Sequence, residues 1–264
     1  MTDLFTASRP PVADLTKRWE VTNHDVMHLL RGLPSGSVDC IVTDPPYASL
    51  EKHRAKGTTT RLAGAPGSEG EWFDTIPNEE FPAIFAELYR VLANNAHMYV
   101  YLDAESMFAF KPMAEAVGFT FWKPLVWDKL RIGMGYHYRA RCEFILFFEK
   151  GKRRLANLGT PDVLDYDTLD TQLGLDEGHS LRIEGARVTG GYPTAKPVEV
   201  SRVLIRQSTD PGALVLDPFI GSGSIGEAAL LEGRRIIGND KKATAVSRAR
   251  GRLEAVCEEM GRVS

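Results

Sequence analysis

The sequence predicts an α/β fold in which helices cover both faces of a mostly parallel sheet. From Pro197 onwards, runs typical of strands and runs typical of helices alternate regularly. An apolar run over residues 38–43 enters a Pro-Pro turn, as a buried strand does. Strands that alternate with helices form parallel sheets with both faces covered, because each connection crosses back over the sheet. We therefore expect one α/β domain over residues 1–264.

The predicted elements follow one another along the chain. Residues 78–92 carry apolar side chains at helical spacing, with Asn78 as the candidate N-cap. The β-rich segments 119–127 and 142–148 flank a Gly/Arg loop, so we expect an antiparallel pair. The other predicted elements are strands at 38–43, 97–102, 213–216 and 235–238, and helices at 105–117, 198–208, 224–231 and 243–260.

Two segments lack a regular pattern. Residues 48–75 are polar and rich in Gly, Ala, Thr and Lys, and a loop this long inside a compact domain is usually a functional lid or a disordered segment. Residues 151–190 hold many Asp, Gly and Thr residues, and we interpret them as an insertion or a small irregular subdomain.

The composition is that of an ordinary soluble protein. Of 264 residues, 43% are hydrophobic and 25% are charged, and the formal net charge is -3. The three cysteines are scattered without CxxC spacing, which argues against disulfides and metal sites and favours a cytoplasmic location. We see no secretory signal, and no segment reaches the roughly 20 apolar residues of a membrane helix.

A glycine loop follows the strand at 213–216. It reads DPFIGSGSIG over residues 217–226, so glycines let the backbone turn tightly at the N-terminus of the next helix. Asp240 ends the following strand, where a carboxylate can take both hydroxyls of a ribose. Together these features predict a nucleoside site. The literal GxGxxG also fits a dinucleotide-binding oxidoreductase, but Asp217 would repel a pyrophosphate and would attract a sulfonium amino acid.

The tetrapeptide Asp44-Pro45-Pro46-Tyr47 ends the first predicted strand. Its two prolines fix the backbone and remove two N–H donors, so a carboxylate and a carbonyl can be presented together as acceptors. An exocyclic base amine is a poor nucleophile because its lone pair is delocalised into the ring. Hydrogen bonds to Asp44 and to the Pro45 carbonyl would localise that lone pair, and Tyr47 would stack on an extruded base.

These two motifs resemble those of the amino-DNA methyltransferases, which act on adenine N6 or cytosine N4. DPPY precedes the FIGSG loop, which is the order of the circularly permuted β group of that family. The resemblance covers most of the chain. It includes the VTNHD segment at 21–25, the WDK and EFIL segments of the late hairpin, and PTAKP at 193–197.

The resemblance implies a fold and a cofactor. The fold is the Rossmann-like three-layer sandwich of S-adenosylmethionine-dependent methyltransferases, with a mostly parallel seven-stranded sheet and a late antiparallel hairpin. The cofactor is S-adenosylmethionine. The residues that the resemblance assigns to it are Asp25 near the adenine, and Asp44, Lys196, Asp217, Phe219, Gly221, Ser222, Gly223 and Asp240.

Three positions depart from the family's usual residues. Tyr192 stands where His is common, Asp240 where Glu is common, and Cys142 where His or Trp is common. We expect Cys142 to be a core residue. A cytosine-C5 enzyme would need a nucleophilic Cys, usually after Pro, and the chain has no Pro-Cys pair.

The resemblance also implies double-stranded DNA as the substrate. Residues 48–75 would close over a flipped base, and 151–190 would hold the target-recognition region. Lys52, Arg54, Arg139 and Arg141 flank the catalytic side and are candidate phosphate contacts. A homodimer and a cognate restriction endonuclease are left open as partners.

The sequence predicts methyl transfer to adenine N6 and leaves alternatives open. Asp at the first position of the tetrapeptide favours adenine, since cytosine-N4 enzymes that resemble this family more often carry Ser there. Cytosine N4 is the second hypothesis. A non-catalytic nucleic-acid-binding relative of the same fold and a dehydrogenase are more distant ones.

Overall fold

The computed structural model describes residues 12–47, 75–133, 137–180 and 196–263. Within these ranges eight strands form one sheet in the order β1-β8-β7-β2-β3-β5-β4-β6. The strands are β1 (Trp19–Thr22), β2 (Val38–Thr43), β3 (Leu92–Leu102), β4 (Thr120–Asp128), β5 (Cys142–Lys150), β6 (Val163–Leu164), β7 (Leu214–Asp217) and β8 (Arg235–Asn239).

The sheet is parallel except at β5. The five strands from β1 to β3 in the sheet order run in parallel, whereas β5 runs antiparallel to both β3 and β4. This confirms the mostly parallel sheet and the late antiparallel hairpin. Leu102 at the end of β3 pairs with Phe144 near the start of β5. The β4–β5 turn therefore lies at the edge of the sheet where the parallel strands end.

Helices cover both faces of the sheet, which gives three layers. The α-helices are α1 (Val26–Gly32), α2 (Phe81–Val91), α3 (Ala104–Ala116), α4 (Tyr166–Leu173), α5 (Val198–Ser208), α6 (Ser224–Leu231) and α7 (Ala243–Val263). Side chains of β3 alternate between two buried clusters, as the period of a strand requires. Tyr99 and Tyr101 pack in the cluster of α5, α6 and α7, whereas Met98 and Val100 pack in the cluster of α1, α2 and α3.

Two predictions about the strands were wrong in detail. The described sheet has eight strands, not seven, because the two residues of β6 pair with β4 at the edge. Strand β3 begins at Leu92, not at residue 97. The polar residues Asn94 and Asn95 interrupt the apolar pattern by which the first half of this strand could have been predicted. Asn95 also has a φ of 59°, which is unusual in a strand.

The segment 151–190, predicted to be irregular, contains β6 and α4 in its described part. Tyr166, Leu169 and Leu173 recur at helical spacing and are buried against the sheet. Cys142, predicted to be a core residue, is half-buried at the start of β5. None of the helices described is long and apolar enough to span a membrane.

The chain changes direction between β2 and β7, which are neighbours in the sheet. The connection after β2 leads through α2 on one face to β3, and the connection after β7 leads through α6 on the other face to β8. In open α/β sheets a crevice forms outside the strand ends at such a switch point, and ligands bind there. The two motifs singled out in the sequence follow these two strands.

Candidate active site

The Asp44–Tyr47 turn leaves β2 at this switch point. The Ile76 backbone N–H donates to the Pro46 carbonyl at 2.8 Å, and Tyr47 and Ile76 form a β-bridge. The turn is thus held by the chain that leads into α2. Tyr47 is 9% exposed, and burial raises the pKa of its hydroxyl. The ring, predicted to stack on a base, packs in the core beside α2 and lines the cavity with its accessible part.

The glycine loop leaves β7 beside this turn. Gly221 has a φ of +48°, and its N–H points at Asp240 Oδ2 at 3.2 Å. Gly223 has a φ of +83° and begins α6. A Cβ on Gly223 would lie 3.0 Å from the Ala249 Cα of α7. Gly223 is therefore required for helix packing. It is not among the residues that line the cavity described below, and its contact with the cofactor stays a prediction.

Asp217 is a fully buried carboxyl group at the end of β7. The Thr43 hydroxyl donates to its Oδ1 at 2.8 Å, and the Phe219 N–H donates to the same oxygen at 3.2 Å. Oδ2 has no hydrogen-bond partner in the described part of the chain. Burial, together with the charges of Asp44 and Asp240, raises the pKa of Asp217 to about 8. A buried oxygen without a donor is costly, so this group indicates that a cationic or donor group of a ligand belongs there.

Asp240 follows β8 and faces the same cavity. Its Oδ1 accepts a hydrogen bond from the Lys242 N–H at 2.8 Å, and burial raises its pKa. The neighbouring Asn239 is buried, and its side chain joins β8 to two loops. It accepts from the His24 N–H at 3.0 Å, and donates to the Pro218 carbonyl at 3.3 Å.

Lys196 lies between two carboxylates in front of α5. Its Nζ is 3.1 Å from Asp44 Oδ2 and 3.0 Å from Glu143 Oε2. Glu143, in β5, also pairs with Lys129, whose Nζ is 3.3 Å from Oε1. Burial alone would lower the pKa of Lys196, but the charges of Asp44 and Glu143 outweigh burial and raise it. Burial opposes ionisation of Glu143, yet the two lysines lower its pKa to about 2.

One cavity of about 300 Å³ joins these groups. It reaches from the start of α1 across the switch point to the chain before α2. Its lining includes Asp25, Asp44, Pro45, Pro46, Tyr47, Lys196, Asp217, Phe219, Gly221, Ser222 and Asp240, all of which the sequence predicted as site residues. It also includes His24, Glu80, Asn239 and Lys242, which were not predicted from the sequence as site residues.

The lining residues fit S-adenosylmethionine. Its sulfonium and ammonium groups are cations, and Asp217 and Asp44 both line the cavity with carboxyl groups. Its ribose hydroxyls are donors, and Asp240 offers a carboxylate at the end of β8, with Asp25 nearby at the start of α1. The same acidic lining disfavours the diphosphate of a nicotinamide dinucleotide. Among the described residues no group of three or more His, Cys, Asp or Glu side chains could hold a metal ion.

The predicted DNA contacts are only partly within the described ranges. Arg139 and Arg141 are exposed in the β4–β5 turn, at the edge of the sheet that carries the cavity. Arg141 Nε lies 2.7 Å from Asp128 Oδ1, so it is partly neutralised. Lys52, Arg54 and nearly all of the segment 48–75 lie outside the described residues, as do residues 181–195.

Two side chains that hold the site together were not predicted from the sequence. Asn239 closes an apolar strand with a polar residue, and such a residue at the end of a parallel strand is a signal that could have been used. Glu143 lies in a segment that supported the resemblance, but it received no role, because its contact with Lys196 joins residues 53 positions apart.

An α/β sheet with an acidic nucleoside-type cavity beside a Pro-Pro turn defines the class of methyltransferases that act on nitrogen. The comparison with known families is consistent with this class, since residues 38–250 match the DNA methylase family of N6 and N4 type. The chain therefore belongs to that family.

Individual relatives agree with this assignment. The chain is 33% identical over 216 residues to YubD of Escherichia coli K12, a protein named as a methylase, with 81% of each chain covered. It is 25% identical over 267 residues to the DNA adenine methyltransferase YhdJ of the same organism, covering 92% of this chain and 86% of YhdJ.

Solved structures confirm the fold. The complex of M1.HpyAVI with S-adenosylmethionine superposes with a TM-score of 0.60 at 20% identity, covering 89% of this chain and 100% of that chain. The cytosine-N4-specific PvuII DNA methyltransferase superposes with a TM-score of 0.60 at 17% identity, covering 93% and 92%.

Proposed function

We propose that this protein transfers a methyl group from S-adenosylmethionine to the exocyclic N6 of an adenine flipped out of double-stranded DNA. The observation that carries the proposal is that the Asp44–Tyr47 turn and the Asp217 loop open into one cavity at the switch point. A methyl donor and an acceptor amine must meet within van der Waals distance, and a shared cavity provides this proximity.

The acceptor side of the cavity supplies hydrogen-bond acceptors in a fixed arrangement. The Pro46 carbonyl already accepts a hydrogen bond from the Ile76 N–H. The Asp44 carboxylate and the Pro45 carbonyl are therefore the candidate acceptors for the two amine protons. Hydrogen bonds to both would direct the nitrogen lone pair out of the ring plane. Asp44 is also placed to take up the proton that the amine loses on methylation. No covalent nucleophile is required.

The donor side binds and orients the cofactor. When bound, S-adenosylmethionine supplies an electrophilic methyl group on a cationic sulfur and is left as a neutral thioether. Asp217 attracts the cationic end of the molecule, and Asp240 and Asp25 accept from its ribose and adenine. Phe219, Gly221 and Ser222 shape the wall between them, and Lys196 holds Asp44 in place.

The DNA would approach the edge of the sheet that carries the cavity. Arg139 and Arg141 lie there, and we propose that they contact phosphates together with Lys52 and Arg54. We propose that residues 48–75 close over the base and that residues 151–190 take part in target recognition, with base flipping exposing the amine. This function is consistent with a cytoplasmic protein that belongs to a restriction-modification system. It is consistent with either a monomer or a homodimer.

Adenine is preferred over cytosine as the target. Asp44 leads the tetrapeptide, and the relative YhdJ is named as a DNA adenine methyltransferase. The second candidate is methylation of cytosine N4, which is favoured by the fold that the chain shares with the cytosine-N4-specific PvuII enzyme. Both amines present two N–H donors to the same acceptors, so the acceptor chemistry alone does not separate them.

Mass analysis of nucleosides separates the two candidates. DNA from a host that lacks other methyltransferases is incubated with the protein and S-adenosylmethionine and is then digested to nucleosides. The nucleosides are identified by mass spectrometry. We expect N6-methyldeoxyadenosine. Detection of N4-methyldeoxycytidine would reject adenine N6 as the target and support cytosine N4. Unmodified DNA would refute methyl transfer.

A further inference from the structure

We propose that Glu143 is a positioning residue for methyl transfer, which acts by holding the Lys196 ammonium against the carboxylate of Asp44. This inference rests on the proposed function and deepens it, because it concerns how the acceptor carboxylate is fixed. Neither the glycine loop nor the tetrapeptide includes Glu143.

The geometry is a row of alternating charges that ends at the catalytic turn. Lys129 Nζ is 3.3 Å from Glu143 Oε1, and Glu143 Oε2 is 3.0 Å from Lys196 Nζ, which in turn is 3.1 Å from Asp44 Oδ2. The four side chains are between 13% and 26% exposed. The row is therefore partly shielded from bulk solvent. Ion pairs in such surroundings are stronger than ion pairs that are fully exposed at the surface.

The attachment of Glu143 to the sheet gives it its role. Glu143 lies in β5, where it pairs with Trp127 of β4, and the next residue, Phe144, pairs with both β3 and β4. Lys196 has a flexible four-carbon stem, so its ammonium can take many positions unless other groups fix it. Glu143 provides the second fixed point. With it, the ammonium stays at one oxygen of Asp44 and sets the plane of the carboxylate.

The charge of Glu143 also supports Asp44 as a hydrogen-bond acceptor. A lysine held only by Asp44 would direct its whole charge at that carboxylate and weaken it as an acceptor for an amine. Glu143 shares this charge. An ionised carboxylate has about four lone-pair sites, so an Asp44 that is held by Lys196 at one oxygen can still accept a hydrogen bond from a base. Loss of Glu143 would therefore misplace Asp44 and also reduce its strength as an acceptor.

The test is the single-turnover rate constant of methyl transfer with enzyme in excess over DNA. We expect Glu143→Ala to lower this rate constant about 10- to 100-fold, because misplacing a reacting group by about 1 Å costs that much. We expect the Kd values for S-adenosylmethionine and for DNA to change by less than about threefold. Glu143→Gln keeps an oxygen that can accept from Lys196 and loses the charge, so its rate constant should fall between those of Glu143→Ala and the parent.

A double-mutant cycle shows whether Glu143 acts through Lys196. In a Lys196→Met background, Glu143→Ala should change the rate constant by less than about threefold, because the interaction is already absent. A merely structural role would lower the rate by the same factor in both backgrounds. Glu115→Gln is the matched control, since Glu115 forms an exposed ion pair with Lys111 on α3, and it should leave the rate unchanged.

The outcomes separate the failure of this inference from the failure of the proposed function. If the parent methylates DNA and Asp44→Ala does not, but Glu143→Ala and Glu143→Gln react at the parent's rate, the positioning role is wrong and the function stands. Equal losses from Glu143→Ala in both backgrounds would also overturn it. A parent that transfers no methyl group would overturn the function and this inference together. If Glu143→Ala does not fold, the isosteric Glu143→Gln carries the same comparison.

Discussion

Two carboxyl groups with different surroundings line the cavity. Asp44 forms an ion pair with Lys196, whereas Asp217 is fully buried and has one oxygen without a hydrogen-bond partner among the described residues. Asp44 was predictable from the prolines that follow it, and Asp217 from the glycines that follow it. Their surroundings were not predictable, because Lys196 reaches Asp44 and Thr43 reaches Asp217 from distant parts of the chain. Glu143 in turn contacts Lys196.

The pKa of Asp217 predicts that cofactor affinity depends on pH. Its pKa is raised to about 8 in the free protein, so the carboxyl group is mostly protonated at pH 6 and becomes ionised as the pH rises. Only the ionised form attracts a cation. Calorimetry between pH 6 and pH 7.5 should show the Kd for S-adenosylmethionine falling by up to about tenfold per pH unit, with proton release on binding.

The variant Asp217→Asn is the reference for this measurement, because it leaves the titration of the ligand itself unchanged. We expect it to bind more weakly than the parent at pH 7.5, and the ratio of the two Kd values should shrink towards pH 6. A constant ratio across this range would contradict a titrating Asp217.

At the scale of the elements, the chain after Pro197 was the most predictable part. Its three helices and two strands appear within a few residues of their predicted positions, because apolar periodicity and turn residues agree there. Strand β6 was missed because two residues give no periodicity, and it forms only through pairing with β4. The first half of β3 was missed because its pairing is irregular. Leu92 pairs with Val38, regular pairing resumes only at Ala96, and the polar Asn94 and Asn95 lie in between.

The junction of the glycine loop and α6 gives a prediction about stability. We expect Gly223→Ala to destabilise the protein by about 1–3 kcal/mol, because an alanine at a φ of +83° is strained and its Cβ would press on Ala249. Gly251→Ala is the matched control. Gly251 lies in α7 with open space around its Cα, so alanine should stabilise that helix by about 0.5–1 kcal/mol. Urea unfolding measures both, and opposite signs are expected; equal effects would contradict the account.

At the scale of the whole molecule, both motifs and their order along the chain could be read from the sequence. The sequence did not show that β2 and β7 are neighbours whose connections leave to opposite faces of the sheet. Only the strand order of the sheet shows this. This adjacency turns two separate motifs into one cavity. The antiparallel pairing of β5 with β3 places the β4–β5 turn at the same edge, next to the proposed path of the DNA.

That edge gives a prediction about DNA binding. We expect Arg139→Ala to weaken DNA affinity and to reduce the slope of log K against log salt by about 0.9, the value for one phosphate contact. Arg141→Ala should have a smaller effect, because Asp128 already neutralises much of its charge. Titrations by fluorescence anisotropy at several salt concentrations measure the slopes.

The control for this experiment is Arg262→Ala. Arg262 is exposed at the far end of α7, which runs back towards the opposite edge of the sheet, so its slope should equal that of the parent. A slope reduced as much by Arg262→Ala as by Arg139→Ala would show that the arginines act only through net charge.

The central claim is that the Asp44 turn activates an exocyclic amine for methyl transfer. The most direct test compares the parent with Asp44→Ala in single-turnover methylation of DNA, at saturating S-adenosylmethionine, with the product identified as a nucleoside by mass. We predict N6-methyldeoxyadenosine from the parent and a rate constant about 10²- to 10³-fold lower for the variant. An Asp44→Ala protein that methylates DNA as fast as the parent would contradict the claim.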